Sequence, residues 1–278
     1  GSFPRKTPAG LDRQAGSVLR GEGEFTKAGE MGDGMKKKGQ EDGRLIIKPI
    51  AKIFTDFPTK FGIPRQSGLG GKLEGEIVFE PEYRNPDAVR GLEEYSHIWL
   101  IWEFSESVRS GWSATVRPPR LGGNTRVGVF ATRSPFRPNP LGLSSVQLEE
   151  ILYTKERGPV LKVRGVDMMN GTPVYDIKPY SPSIDCHPEA LGGLAERTRD
   201  YGLKVEIPEE LLSRIAKEKR EGLLAVLSQD PRPSYQKDPE RIYGMEFADW
   251  EIRFRVREQV LTVCGIYQRK DGVKIKGE

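Results

Sequence analysis

The sequence predicts a mainly β fold, a barrel or sandwich, followed by a small α+β unit. Three observations predict it. Short apolar runs rich in β-branched residues recur from Leu45 to Tyr180, separated by Gly- and Pro-rich turns. Only NPDAVRGLEEY in that stretch carries helical punctuation. After Pro188 the apolar spacing becomes helical, from Leu211 to Leu227, before two more strand-like runs close the chain.

Residues 1–43 hold ten Gly, eight Lys or Arg, seven Asp or Glu, and only Phe3 and Phe25 as aromatics, so they bury too little to offset chain entropy. A disordered tail is expected there, with Lys36, Lys37 and Lys38 as a solvated charge run. The β domain is expected over 44–188. LIIKPIAKIF and GEIVFEPEY read as strands joined by the turn-rich TDFPTKFGIPRQSGLGG. In NPDAVRGLEEY, Asn85 is placed to cap a short helix, with Pro86 at its first position and Gly91 near its end. SHIWLIWEF follows as a buried strand. VGVFA, SSVQLEEIL, PVLKVRGVDMM and TPVYDIKPY continue the pattern, with Asn170-Gly171 as a hairpin signal between the last two. The unit over 189–278 begins its helical pattern at Pro208-Glu209-Glu210, and Gly222 is expected to interrupt or end one helix. FADWEIRFRVRE and VLTVCGIYQ read as a terminal strand pair. A unit of this small size gains from docking on the first domain.

Composition removes several function classes. No apolar run approaches the ~18 residues of a bilayer span and no secretion signal opens the chain, so the cytoplasm is expected and a membrane is not. Cys186 and Cys264 are too few and too far apart for a disulfide framework or a Cys-rich zinc site. GxGxxG after a strand and GxxxxGK[ST] are both missing, which removes the main support for Rossmann and P-loop readings. His97 and His187 are the only histidines, and the neighbours in DCH (185–187) rarely converge on one metal, so no metal site is expected. The net charge of +4 permits a nucleic-acid partner.

The chemistry-bearing stretches stand at the ends of apolar strands. VGVFATRSPFRPNPLGL (127–143) leaves a strand at Val127, Val129 and Phe130 and enters a proline-stiffened cationic loop, whose rigidity lowers the ordering cost of binding. Arg117, Arg120, Arg133 and Arg137 fall within about twenty residues beside Trp112 and Phe136, a mixture suited to phosphates and unstacked bases of single-stranded RNA. Arg137 and Asn139, in the stiffest part of the loop, are the candidate catalytic residues that orient substrate; the Asn139 amide can read an adenine edge or cap a turn. Asp176 and Lys178 share one side of an extended strand, with Ile177 opposite. That carboxylate suits ribose hydroxyls or an amine, or else pairs with Lys178 at the surface for at most ~1 kcal/mol. His97 is either a ligand contact or a core histidine, and Trp250 either stacks on a base or fills the core.

The run TVRPPRLGGNTRVGVFATRSPFRPNPLGLS, with PRQSGL, DAVRGLEEYSHIWLIWEF, GTPVYDIKPY and QDPRPSY in the same order, resembles the TsaA/TrmO family from about residue 46 to residue 268. The resemblance implies a β-barrel-like, non-Rossmann methyltransferase domain followed by the small α+β domain. It implies an S-adenosyl-L-methionine-dependent tRNA (adenine-N6)-methyltransferase, a homodimer with the cofactor near the subunit interface. The implied substrate is N6-threonylcarbamoyladenosine beside the anticodon of threonine tRNA. By match to the family's motifs, cofactor contact falls to Pro64, Arg65, Gln66, Ser96, His97, Arg133, Leu141, Asp176, Ile177, Lys178 and Pro179. Asp230, Arg232 and Tyr235 of the DPRPxY string mark the C-terminal domain used toward tRNA, joining Arg117 and Arg120 as candidate substrate contacts. The competing reading is a non-catalytic RNA-binding module on the same barrel, and the intact PRQ, SH, ATR and DIKP stretches favour the enzyme.

Overall fold

The computed structural model describes residues 40–41, 44–64, 72–107, 111–118, 125–196, 201–232 and 238–269. Residues 1–46 and 47–278 are separate units. In the first, β1 (Gln40–Glu41) pairs with β2 (Arg44–Leu45); the rest of the expected tail lies outside the described residues.

In the second unit, β3 (Ala51–Thr55), β4 (Glu74–Phe79) and β5 (His97–Glu103) are followed by the two-residue pair β6 (Thr115–Val116) and β7 (Val127–Gly128). Then come β8 (Leu141–Thr154), β9 (Gly158–Arg164) and β10 (Thr172–Pro179). Six of these close into an antiparallel barrel in the order β10-β3-β4-β9-β8-β5 and back to β10. Alternation sets which face lines the interior. In β5, Ile98, Leu100 and Trp102 point inward and are buried, while His97, Trp99, Ile101 and Glu103 face outward. A closed ladder leaves no unpaired edge.

Four local expectations are revised. Of LIIKPIAKIF only the last four residues, from Ala51 to Phe54, join the barrel in β3, because Pro49 has no donor for the ladder, and Leu45, Ile46 and Ile47 are exposed. VGVFA contributes only Val127–Gly128 as strand, because β6 offers two residues to pair with; Val129–Ala131 then forms a 3-10 turn that buries Val129 and exposes Phe130. NPDAVRGLEEY is two 3-10 turns, Pro86–Val89 and Leu92–Glu94, split by Gly91 at φ +85°, although Asn85 caps the first as expected, accepting from the Asp87 N–H at 3.0 Å. Asn170-Gly171 is a turn but not a hairpin, since β9 and β10 are separated around the barrel by β4 and β3. The turn binds β3 and the chain that follows: Asn170 N–H donates to the Phe57 carbonyl and Gly171 N–H to that of Ile53, both at 2.8 Å.

The C-terminal region holds α1 (Pro182–Asp185), α2 (Gly193–Glu196), β11 (Lys204–Glu206), α3 (Glu209–Leu212) and α4 (Lys217–Ser228). A four-stranded sheet completes it, with β12 (Tyr243–Phe247), β13 (Trp250–Arg257) and β14 (Val260–Gln268) in the order β11-β14-β13-β12. The terminal pair is β13 and β14, and β11 lies parallel to β14. Gly222 does not end a helix. It lies inside α4, where a Cβ would meet Leu73 Cδ2 at 2.9 Å, so its lack of a side chain lets the helix lie against the entry to β4. Phe247 meets Phe57 edge-on at 5.8 Å, Ala248 N–H donates to the Asp56 carbonyl at 2.7 Å, and Lys219 pairs with Asp56. Trp250 is half-buried against this core. Among the described residues no helix is long and apolar enough to cross a membrane.

Candidate active site

The chain leaving β3, β5 and β9 and the chain entering β8 and β10 surround an open cleft of about 1480 Å³ at one end of the barrel. That exceeds the ~300–1,000 Å³ of a pocket for one small molecule. Its base is polar yet buried. Ser144, fully inaccessible, accepts a hydrogen bond from Trp102 Nε1 at 2.9 Å and donates to Asp167 Oδ1 at 2.7 Å. The Trp102 ring lies over Gly142, where any Cβ would overlap the indole, and packs on Phe104 at 4.3 Å.

One wall is the proline loop 132–140, braced by its own hydroxyls. Thr132 Oγ1 donates to the Val129 carbonyl at 2.8 Å and accepts from Ser134 N–H at 3.2 Å, and Ser134 Oγ accepts from Phe136 N–H at 3.3 Å. Arg137 Nη1 donates to the carbonyls of Thr132 (3.1 Å) and Ser134 (3.4 Å), so this guanidinium stiffens the loop as it lines the cleft. Arg133 Nη1 reaches the Leu143 carbonyl at 3.3 Å. Lys60, Arg117, Arg126, Arg133, Arg137 and Arg232 line the cleft against Glu103, Glu106 and Asp167, leaving an excess of positive charge. Trp112, stacked on Phe130 at 6.2 Å, stands at its exposed rim.

The C-terminal region contributes Arg232. Asp230 holds it with two contacts, Nε to Oδ1 at 2.8 Å and Nη2 to Oδ2 at 2.9 Å, while the Tyr201 hydroxyl donates to Oδ2 at 2.6 Å. Burial pushes the Asp230 carboxyl up, but the bonds from Arg232 and Tyr201 outweigh it and hold the group below its ordinary value. The pair is an internal brace, with side chains only 12% and 11% exposed.

The cleft therefore gathers Pro64, Arg117, Arg133, Arg137, Asn139, Leu141 and Arg232. Arg65, Gln66, Arg120 and Tyr235 lie outside the described residues. A second group is elsewhere. His97 begins β5 with Ser96 just before it, and Lys178 and Pro179 end β10, at the opposite end of the barrel from Glu103. Six residue steps along β5 separate the two ends by about 20 Å. His97 is exposed, with Nδ1 3.0 Å from Ser96 Oγ and its ring 6.1 Å from that of Tyr180, which also lies 5.6 Å from Trp99. Asp176 Oδ2 pairs with Lys178 Nζ at 2.9 Å, the surface pairing that an extended DIK allows, and Ile177 is half-buried. The outer sheet face links the groups: Asp176 is opposite Ile101, and Ile101 is opposite Leu143.

Residues 52–186 match the family model described as the tRNA-methyltransferase O N-terminal domain, and residues 200–269 match the TrmO C-terminal domain. The chain belongs to the TrmO family. The tRNA (adenine(37)-N6)-methyltransferase of Escherichia coli K12 is 41% identical over 231 residues, covering 80% of this chain and 98% of that one. The protein of the same description from Eikenella corrodens is 46% identical over 170 residues, 61% of this chain and 95% of its own. The crystal structure of TrmO from P. aeruginosa superposes with a TM-score of 0.65 at 33% identity, covering 81% of this chain and 98% of that one.

Reading the sequence missed Trp102, Ser144 and Asp167. The available signals were a hydroxyl at an inward position of a barrel strand and one acid within the apolar run VRGVDMM. Among the described residues, no cluster of three His, Cys, Asp or Glu side chains is placed to hold a metal.

Proposed function

We propose that this TrmO-family protein transfers a methyl group from S-adenosyl-L-methionine to N6 of the adenosine at position 37 of tRNA, the activity named for its relatives. The finer substrate is N6-threonylcarbamoyladenosine in threonine tRNA. The observation that carries the reading is the joint match of both family models to a chain whose barrel end is a cationic, aromatic-lined cleft. The cleft is large enough for a nucleoside beside a cofactor, and its guanidinium groups suit the phosphates of an anticodon loop.

The side chains fit the cofactor chemically. Asp176 suits its ribose hydroxyls or ammonium group, Arg133 suits its carboxylate, and the His97, Trp99 and Tyr180 rings offer surfaces to its adenine. Within one chain these groups fall into two halves, with Pro64 and Leu141 in the cleft and His97 and Pro179 at the far end of the strands. A homodimer in which the cleft of one protomer meets the His97 end of its partner would complete one site, which supports the dimeric reading. The cofactor's sulfonium supplies the methyl group. The braced loop 132–140 holds Arg137 and Asn139 against the target base, and the apolar Trp102–Phe104 pair restricts water, so that alignment supplies much of the rate.

The test is incubation with labelled S-adenosylmethionine and threonine tRNA, with and without prior threonylcarbamoylation, followed by nucleoside mass spectrometry. Label is expected only on the threonylcarbamoylated tRNA. Equal label on both would remove the modified-base requirement, and label on neither would leave an RNA-binding module.

A further inference from the structure

We propose that Arg137 binds the carboxylate of the threonyl group on the target base, and so selects the threonylcarbamoylated adenosine over the plain one; this role rests on the function proposed above. Among the described residues six cations line the cleft, and their settings differ. Lys60, Arg117, Arg126 and Arg133 are exposed, as suits the phosphates of a strand lying along a surface. Arg137 and Arg232 are partly buried. Of these two, Arg232 is matched by the Asp230 carboxylate through two bonds, so its charge is answered inside the fold. Arg137 is held instead by uncharged oxygens, the carbonyls of Thr132 at 3.1 Å and Ser134 at 3.4 Å. They fix where the guanidinium stands without neutralising it.

The direction of those bonds decides what the group can take. Both leave from Nη1, which turns the edge formed by Nε and Nη2 into the side of the planar fork that meets a carboxylate through two parallel bonds. A partly buried charge is also screened less than an exposed one, so an anion that reaches it gains more. Little ordering is needed, because the loop is braced by the Thr132 and Ser134 hydroxyls and tied outward by the Ser113 N–H, which donates to the Phe136 carbonyl at 3.3 Å.

The chemistry of the target nucleoside supplies the matching anion. In N6-threonylcarbamoyladenosine a carboxylate stands at the end of the N6 substituent, so it enters the cleft with the base, whereas backbone phosphates remain at the surface with the exposed cations. Seated on Arg137, that carboxylate anchors the substituent and holds N6 in line for the methyl group. Plain adenosine brings no anion and leaves the guanidinium unanswered as the base closes over it, which selects against the unmodified tRNA.

The test uses anticodon stem-loops that carry either the threonyl carboxylate or its carboxamide, which keeps the shape and the reacting nitrogen but removes the charge. The readout is the ratio of kcat/KM on the two substrates, measured within each protein so that a loosened loop or a partly folded sample does not move it. Wild type is expected to prefer the carboxylate about 100-fold, and Arg137→Gln less than about threefold. Arg137→Lys is expected to fall between them, since an ammonium keeps the charge and loses the fork. Lys60→Gln is expected to lower both rates alike and keep the full preference. Wild type that treats the two substrates equally overturns the proposal. So does Arg137→Gln that slows on both and keeps its preference, which would reduce the residue to a brace of its loop, and so does a preference lost in Lys60→Gln instead. If Arg137→Gln does not fold, Arg137→Lys decides, and an undiminished preference there overturns the role. Wild type that methylates neither stem-loop would instead remove the underlying function.

Discussion

The strand His97–Glu103 ends in two different kinds of surface. At the Glu103 end, the base of the cleft is withdrawn into the fold and held by neighbours distant in sequence, as in the Trp102, Ser144 and Asp167 chain or the Tyr175–Glu103 bond, while loop 132–140 is braced from within. At the His97 end, the polar groups are exposed and held by residues close in sequence, Ser96 by His97 and Lys178 by Asp176. The first surface is preorganised, so little ordering remains to be done when a ligand arrives. The second is open to solvent, as the shared site proposed above requires of each protomer.

The sharpest way to break this contrast is to disable each end separately. His97→Ala and Arg133→Ala are each expected to fall below about one-hundredth of the wild-type rate, because misplacing a cofactor is costly. Co-expressed, they are expected to recover about a quarter of it, since half of randomly assembled dimers are mixed and each mixed dimer keeps one intact site. No recovery would place both ends in a site made by one chain. A smaller effect is expected from Gly142→Ala, whose new methyl would displace the Trp102 indole and cost about 1–3 kcal/mol in denaturant unfolding.

The smallest effect concerns Tyr175, whose hydroxyl is pushed up to about 12, chiefly by its bond to Glu103 and secondarily by burial. A raised value means that its stabilisation is complete below the ordinary 10.0 and is lost as pH climbs through about 12. The stability difference between wild type and Tyr175→Phe, under about 1 kcal/mol, should therefore be constant near neutral pH and shrink only above pH 10. A difference that changes between pH 6 and 9 would show that the bond does not hold in solution.

Much of the strand content was legible because alternation marks a sheet with one buried face, and SHIWLIWEF carries its inward and outward residues in plain order, whereas closure depends on β10 pairing with both β3 and β5. Loop 132–140 was legible for a similar reason, since prolines and short hydroxyl side chains act locally. The base of the cleft was not. Alternation through SSVQL turns Ser144 inward, but it meets Trp102 across 42 residues and Asp167 across 23, so nothing local names its partners. Asn170-Gly171 shows the same limit, because its turn chemistry was evident while the strand it would bind depended on the order around the barrel. Gly222 misled because a glycine that permits close approach and one that stops a helix are written with the same letter.

That glycine has a mechanical consequence. Along the chain, the two family models leave a gap at residues 187–199, where a division looks natural. In the interior there is no matching seam: Leu223 and Leu227 of α4, Phe247 of β12, and Phe57 and Leu73 of the barrel belong to one apolar cluster. Loosening the helix that leads to Asp230 and Arg232 would therefore soften the wall of the cleft as well, so residues 52–186 and 200–269 are expected to melt together.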